Sequence, residues 1–169
     1  MALTPVYMSD PRFEIVSKYI TADFPNACIL YIDEVQNPEL LTAFENKVVE
    51  RGATEKILFH GTKATSVNKI AFGGFDPTKN RISAFGVGTY FATRASMSLQ
   101  YTDVDRDGVS YVFVCKVLVG TTALGKSNAA IPEGIDNYVN STTNPTIYVS
   151  PYVDGAYPQY LVAFHKSAK

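Results

Sequence analysis

Two short motifs constrain this 169-residue chain more than any other feature. The first, Leu58-Phe59-His60-Gly61-Thr62, places a histidine and a glycine at the end of a short apolar run of the kind that forms a strand. The second, Phe85-Gly86-Val87-Gly88-Thr89-Tyr90-Phe91-Ala92, places two glycines before another such run. Because glycine lets a backbone approach another group closely, the two motifs predict strands that end beside a common cleft.

The rest of the chain mixes helix and strand patterns without strict alternation, which predicts an α+β fold. Helices are expected to begin at Asp10-Pro11 and at Asn37-Pro38, each with a capping side chain and an early proline, and to end at Pro25 and Gly52. Two shorter helices are expected, one ending at Gly73-Gly74 and one over 94–101. Residues 121–145 are predicted to be a long, weakly patterned connection. The predicted strands cover 28–35, 57–59, 87–92, 109–119, 146–150 and 159–165.

The composition is that of a globular protein and excludes several classes of function. The net charge is −1 and like charges do not cluster, so the chain carries no electrostatic footprint for duplex nucleic acid. Cys28 and Cys115 lie in apolar runs and are interpreted as buried free thiols of a reducing compartment. Neither a signal peptide nor a membrane span is expected. A soluble intracellular protein of the cytoplasm or nucleus is predicted, with a delivered effector as an alternative.

The candidate site residues carry little information one at a time. A lone histidine such as His60 is more often a core or surface side chain, and Tyr90 alone would be a core aromatic residue. Ser98 and Tyr101 are three residues apart, as many packing pairs on a helix are. Together, in this order and at strand ends, the four residues predict a pocket for the nicotinamide half of NAD.

In combination, the motifs resemble the catalytic domain of poly(ADP-ribose) polymerase-type, diphtheria-toxin-like ADP-ribosyltransferases, and most closely the mono-ADP-ribosyltransferase branch. The resemblance also rests on Ser98-Leu99-Gln100-Tyr101 and Ala156-Tyr157-Pro158-Gln159-Tyr160-Leu161, and it runs from about Val35 to the C-terminus. It implies an ADP-ribosyltransferase fold, a largely antiparallel, split β-sheet core flanked by short helices. It further implies one catalytic domain over 1–169, with 1–55 as N-terminal scaffold and 56–169 as the NAD-binding core.

The resemblance implies that NAD is the co-substrate and that no metal takes part. His60 would donate a hydrogen bond to the adenosine-ribose hydroxyls, and Thr62 would reach the same ribose. The backbone of Gly61, together with the Ser98 hydroxyl, would hold the nicotinamide carboxamide. The regulatory helical domain of DNA-responsive members does not fit in the leading residues, so activation by duplex DNA is not expected.

For the nicotinamide ring, the resemblance implies an aromatic pocket. Tyr101 would stack on the ring, Tyr90 would form the wall beside it, and Ala92 belongs to the same binding set. The polar loop 76–84 occupies the place of the loop that covers the donor in this family.

One position departs from the polymerising members of the family. They carry a glutamate at the start of the strand before the Tyr-Pro-x-Tyr-Leu motif, where this chain has Ile147, and Glu133 is the one glutamate after position 55. A glutamate would hold the 2′-hydroxyl of the nicotinamide ribose and activate an incoming hydroxyl, which isoleucine cannot do. His60, Tyr90 and Ile147 therefore predict transfer of one ADP-ribose to an acceptor, a protein side chain first and a nucleic-acid end second. The alternative is an NAD- or ADP-ribose-binding module with weak turnover.

Three further features of the sequence bear on function. Asp103-Val104-Asp105-Arg106-Asp107-Gly108 opens like an EF-hand calcium loop, but the twelfth position is Val114, so the segment is interpreted as a solvated acidic turn. The arginine-rich set expected of a tRNA 2′-phosphotransferase is not apparent. His165 is interpreted as a surface residue.

Overall fold

The computed structural model describes residues 2–79, 83–99 and 106–167. This part of the chain contains nine strands, four α-helices and one 3₁₀ turn at Ala64–Ser66. In chain order the strands and α-helices are β1 Ala2–Pro5, α1 Pro11–Thr21, β2 Cys28–Gln36, α2 Pro38–Arg51, β3 Thr54–Thr62, α3 Val67–Gly73, β4 Thr89–Ala92, α4 Ala95–Ser98, β5 Ser110–Val119, β6 Thr122–Leu124, β7 Asn137–Val139, β8 Ile147–Ser150 and β9 Ala156–His165.

The two longest helices begin where their capping residues predict. The Asp10 carboxylate accepts a hydrogen bond from the Arg12 N–H at 2.9 Å, and the Asn37 side chain caps α2 in the same way. Such caps stabilise a helix by about 1 kcal/mol. Gly52 ends α2 in the left-handed region at φ 59°. Helix α1 ends at Thr21, before the proline that was expected to end it.

All nine strands form one sheet in the order β1-β2-β9-β5-β3-β4-β8-β7-β6. Neighbouring strands are antiparallel except β6 and β7, which are parallel. The predicted α+β class is therefore confirmed. The sequence prediction lacks β1, β6 and β7, which have only three or four residues each. It also makes β3 too short, since that strand runs over nine residues.

The sheet is split between β3 and β4. Strand β3 pairs with β5 along its whole length, from Thr54 to Thr62. With β4 it shares a single registered pair, Phe59 opposite Ala92. The sheet therefore opens beside the next residue of β3, which is His60.

Helices cover both faces of the sheet. Helices α2 and α3 pack on the face that carries Phe91, and α1 and α4 pack on the face that carries Phe59. Successive strand residues point to opposite faces, so Tyr90 and Ala92 lie on the same face as α1 and α4. The opening of the sheet is thus bordered by both helical layers.

The two cysteines differ in exposure. Cys115 is buried in β5, and burial raises the pKa of its thiol well above the ordinary value. Cys28 is exposed, because it is the first residue of β2 and lies at the end of the sheet. The expectation of two buried thiols is therefore wrong for Cys28, whereas the expectation of free thiols is confirmed.

A buried carboxylate holds the long connection between β5 and β8. The side chain of Asp136, 3% exposed, accepts hydrogen bonds from Arg51 Nε at 2.6 Å, the Tyr152 hydroxyl at 2.8 Å and the Thr121 N–H at 2.8 Å. Burial raises the pKa of Asp136, but these three donors outweigh it, and the pKa lies below the ordinary value of 3.8. The connection is thereby attached to the end of α2.

We expect Asp136→Ala to lower the free energy of unfolding by about 2–3 kcal/mol at neutral pH, because three donors lose a charged acceptor. The folded-state pKa is lowered, so the carboxylate stabilises the fold above the unfolded-state pKa of about 4. That stabilisation is lost as the pH falls through the folded-state pKa. Urea unfolding of both proteins between about pH 7 and pH 2 measures the effect. The exposed Glu133, changed to alanine, is the control in the same connection, and a difference independent of pH would contradict the charge-based account.

Candidate active site

The structure places the predicted site residues on four elements around the opening of the sheet. Strand β3 ends in His60, Gly61 and Thr62. Strand β4 carries Tyr90 and Ala92, β8 begins with Ile147, and α4 ends with Ser98. Because β3, β4 and β8 are neighbours in that order, the sheet brings these positions together. Tyr101 lies outside the described residues, as do residues 80–82 of the polar loop.

The His60 side chain bridges the opening. Its Nδ1 donates a hydrogen bond to the Tyr90 backbone carbonyl at 2.9 Å. The ring also packs against Phe75 and Phe91, with centroid separations of 4.8 and 5.6 Å. Burial lowers the pKa of His60 and outweighs the opposing effect of the hydrogen bond to Tyr90. The ring is therefore neutral at pH 7, and since Nδ1 holds the proton, Nε2 is a hydrogen-bond acceptor.

The Tyr90 side chain is fixed by the segment just before it. The hydroxyl donates to the Gly86 carbonyl at 2.7 Å and accepts from the Phe85 N–H at 2.9 Å. Its ring is 5% exposed and packs in an apolar cluster on the α1/α4 face. Tyr90 is thus held at its backbone carbonyl by His60 and at its hydroxyl by the preceding turn.

The glycines of the second motif serve the packing of this segment. Gly86 has φ 117°, and a Cβ there would lie 2.4 Å from the Tyr138 ring. A Cβ on Gly88 would lie 2.5 Å from the Ser150 carbonyl oxygen. Both positions need glycine because strands β7 and β8 come so close. The sequence pattern predicted close backbone approach at these glycines, and in the structure the groups that approach are protein atoms of β7 and β8.

Ile147 is buried in the same apolar cluster as Tyr90. It is 2% exposed, lies opposite Ala92 in the β4–β8 ladder and packs with Val149. The side-chain oxygen of Asn140 accepts a hydrogen bond from the Ile147 N–H at 3.0 Å, which fixes the start of β8. Asn140 was missed by the sequence interpretation, because an asparagine in a weakly patterned connection carries no local signal for such a contact.

Ser98 ends the short helix α4, which packs on both β3 and β4. Its hydroxyl is buried and donates to the Ala95 carbonyl, one turn earlier, at 2.7 Å. A hydroxyl that donates a hydrogen bond can also accept one through its oxygen lone pairs. Because its proton is engaged with the Ala95 carbonyl, the Ser98 hydroxyl is oriented to accept a hydrogen bond beside the opening.

The described residues show neither a metal-binding cluster nor a membrane-spanning helix. Within residues 2–79, 83–99 and 106–167, no group of three or more His, Cys, Asp or Glu side chains is placed to hold a metal ion. Residues 103–105 of the calcium-loop-like segment fall outside those ranges. None of the helices in the same ranges has the length and hydropathy of a membrane span.

A largely antiparallel sheet, split beside a histidine and a buried tyrosine, agrees with the fold that the resemblance to ADP-ribosyltransferases implied. The chain belongs to the poly(ADP-ribose) polymerase catalytic domain family, whose model matches residues 12–144. The match begins well before Val35, where the resemblance in the sequence was expected to start. Helix α1 is therefore almost entirely within the family domain.

The chain is also similar to curated proteins of human and of Dictyostelium discoideum. It is 32% identical to human protein mono-ADP-ribosyltransferase PARP14, over 94% of this chain and 10% of that protein. It is 30% identical to human protein mono-ADP-ribosyltransferase PARP11, over 96% of this chain and 59% of that protein. A probable poly [ADP-ribose] polymerase of Dictyostelium discoideum is 27% identical, over 97% of this chain and 52% of that protein. The chain thus spans between a tenth and three fifths of these relatives.

Proposed function

We propose that this protein is a mono-ADP-ribosyltransferase, which cleaves NAD at the nicotinamide–ribose bond and transfers one ADP-ribose to an acceptor. The observation that carries the proposal is the opening of the sheet beside His60, with apolar Ile147 where a polymerase has a carboxylate. The names of PARP14 and PARP11 as mono-ADP-ribosyltransferases support it.

The adenosine end of NAD binds at His60 in this proposal. Because Nδ1 is engaged with the Tyr90 carbonyl, the neutral ring presents Nε2 to the ligand. Nε2 accepts a hydrogen bond from a ribose hydroxyl, with Thr62 near the same sugar. The direction of this bond is the reverse of the one expected from the sequence, where His60 was the donor.

The nicotinamide end binds between β3 and α4. The backbone of Gly61 pairs with the carboxamide, and the Ser98 oxygen, already donating to Ala95, accepts from the amide NH₂. Tyr90 supplies a rigid wall beside the ring, and Tyr101 stacks on it. An aromatic contact of this kind contributes about 0.5–1.5 kcal/mol beyond burial.

Transfer requires orientation more than acid catalysis. The C1′–N bond breaks through an oxocarbenium-like transition state, and the electron pair leaves with a nicotinamide that is cationic before cleavage and neutral afterwards. The pocket must hold the ring, exclude water and leave one face of C1′ open. The acceptor then bonds to C1′. Ile147 cannot remove a proton from the acceptor, which favours acceptors that are already ionised, such as protein carboxylates and phosphate groups.

Incubation with labelled NAD tests the proposed chain length. We expect every modified acceptor to carry a single ADP-ribose, because a growing chain attacks through a ribose hydroxyl that needs a base. Gel electrophoresis and mass spectrometry of the products measure this. A ladder of chains on the protein or in an added cell extract would contradict the assignment of Ile147.

The second candidate, raised by the missing carboxylate at Ile147, is an NAD- or ADP-ribose-binding module with weak turnover; the names of PARP14 and PARP11 favour the enzyme. The same incubation separates the two functions. Release of nicotinamide with labelled product supports the enzyme, whereas a shift of the melting temperature by NAD without nicotinamide release supports the module. Sites mapped by mass spectrometry then distinguish a protein side chain from a nucleic-acid end as acceptor.

A further inference from the structure

Helix α1 is tied to α4 by a buried carboxylate. The Asp23 side chain, just after α1, is 6% exposed. It accepts a hydrogen bond from Arg94 Nε at 3.1 Å and another from the Ser96 backbone N–H at 2.9 Å. Both donors lie at the start of α4, so one carboxylate holds the first turn of the helix that ends in Ser98.

The same end of α1 also contacts β3. The Tyr19 ring meets the Phe59 ring edge to face, with centroids 5.6 Å apart. Phe59 is the residue before His60 and forms the registered pair of β3 with β4. Helix α1 therefore contacts both elements between which the carboxamide is proposed to bind.

We propose that Asp23 is a positioning residue for the nicotinamide end of the donor site. This inference rests on the proposed function, because it assigns Asp23 to the carboxamide clamp of Gly61 and Ser98. Helix α4 has four residues, too few to hold its own orientation through internal hydrogen bonds. Its orientation therefore depends on contacts with other elements. In addition to the packing of α4 on β3 and β4, the carboxylate of Asp23 fixes the first turn of α4 and thereby the distance of Ser98 from β3.

The geometry separates the two ends of the donor. The adenosine end depends on His60, which is held by the Tyr90 carbonyl and by Phe75 and Phe91. None of these three residues is bonded to Asp23 in the contacts above. Loss of Asp23 therefore weakens binding of the amide while leaving the ADP-ribose part of the site in place.

Asp23→Ala is compared with wild type using two probes that need no turnover. Benzamide carries the aromatic amide alone, and ADP-ribose carries everything except the nicotinamide. We expect benzamide to bind about tenfold more weakly, since a small displacement of a clamping group is costly, and ADP-ribose to bind within about twofold of wild type. KM for NAD is expected to rise with the loss of the amide contact.

Two further variants complete the experiment. Asp23→Asn keeps a side-chain oxygen for the Ser96 N–H but loses the charge that pairs with Arg94, so its benzamide affinity is expected between wild type and Asp23→Ala. This variant also serves if Asp23→Ala does not fold. Glu14→Ala is the matched control, because Glu14 lies on α1 and makes only an exposed ion pair with Lys18 at 3.4 Å in the contacts described. It should leave both probes unchanged.

The outcomes distinguish the two proposals. Equal weakening of both probes, or unchanged benzamide binding in both Asp23 variants, would overturn the positioning role even if the enzyme is active. Selective loss of benzamide binding with no turnover of NAD by wild type would support the positioning role and overturn the transferase. Failure of wild type to bind benzamide would overturn both.

Discussion

The His60→Ala variant is expected to lose ADP-ribosyl transfer by about 100-fold or more, because misplacement of the donor is costly. Two contacts disappear together. The Nε2 acceptor for the ribose is lost, and so is the Nδ1 bond that holds the Tyr90 carbonyl at 2.9 Å across the split sheet. Nicotinamide release from NAD, measured at a temperature where circular dichroism shows the variant folded, tests this expectation.

His165 provides the matched control for that experiment. It is the other histidine of the chain, it is partly exposed at the end of β9, and its Nδ1 bonds the Gly108 carbonyl at 3.0 Å. His165→Ala should retain wild-type activity. Because burial lowers the pKa of His60, wild-type activity should also persist somewhat below pH 6.5, the ordinary pKa of histidine. Full activity in His60→Ala would show that the donor lies elsewhere.

The Ile147→Glu variant is expected to lose about 3–5 kcal/mol of stability at pH 7 rather than to gain polymerase activity. The position is 2% exposed and packed among Tyr90, Ala92, Tyr138 and Val149. A carboxyl group buried there has a raised pKa, because desolvation disfavours the charged form. Between the unfolded-state pKa and this raised folded-state pKa, the group is protonated in the folded protein but ionised in the unfolded chain.

Chemical unfolding at several pH values measures this cost. With a raised folded-state pKa, the penalty is largest above that pKa and is relieved as the pH falls toward the unfolded-state pKa of about 4. Ile147→Val is the control and should cost only about 0.5–1.5 kcal/mol. Products of Ile147→Glu should still carry a single ADP-ribose. Chain elongation by this variant would show that the acceptor side already fits a growing polymer.

The parts of the fold that sequence reasoning predicted are the parts that local chemistry determines. The side chains of Asp10 and Asn37 cap helices by accepting hydrogen bonds from backbone N–H groups two or three residues further along, and Gly52 ends α2 through its own backbone conformation. Signals of this range can be read in a window of a few residues. The same is true of β2, β5 and β9, each with enough residues for a β-type pattern.

The parts that were missed depend on contacts between distant residues. Strand β3 extends beyond its apolar run because β5 pairs with all nine of its residues, and the exposed ones carry no pattern. Asp136 meets Arg51 across 85 positions, and Asp23 meets Arg94 across 71. No local feature marks such a carboxylate as buried and paired. The neutral state of the His60 ring likewise follows from burial, and its tautomer follows from the Tyr90 carbonyl, which only the fold brings within reach.

The candidate site shows the same difference between what local motifs predict and what only the folded chain determines. The motifs located His60, Tyr90, Ser98 and Ile147 at ends of elements, and the structure places all four around the opening of the sheet. What the motifs could not provide is the burial of Ile147 among apolar residues or the orientation of each hydroxyl. Those properties decide which hydrogen bonds a ligand can make.

The single registered pair between β3 and β4 also affects how the two parts of the sheet are held together. On one side lie β1, β2, β9, β5 and β3; on the other lie β4, β8, β7 and β6. Within this sheet they meet through the pair of Phe59 with Ala92 and the imidazole of His60. A donor bound along this opening, as proposed, contacts both halves of the sheet, so its binding is expected to stabilise the folded domain against their separation.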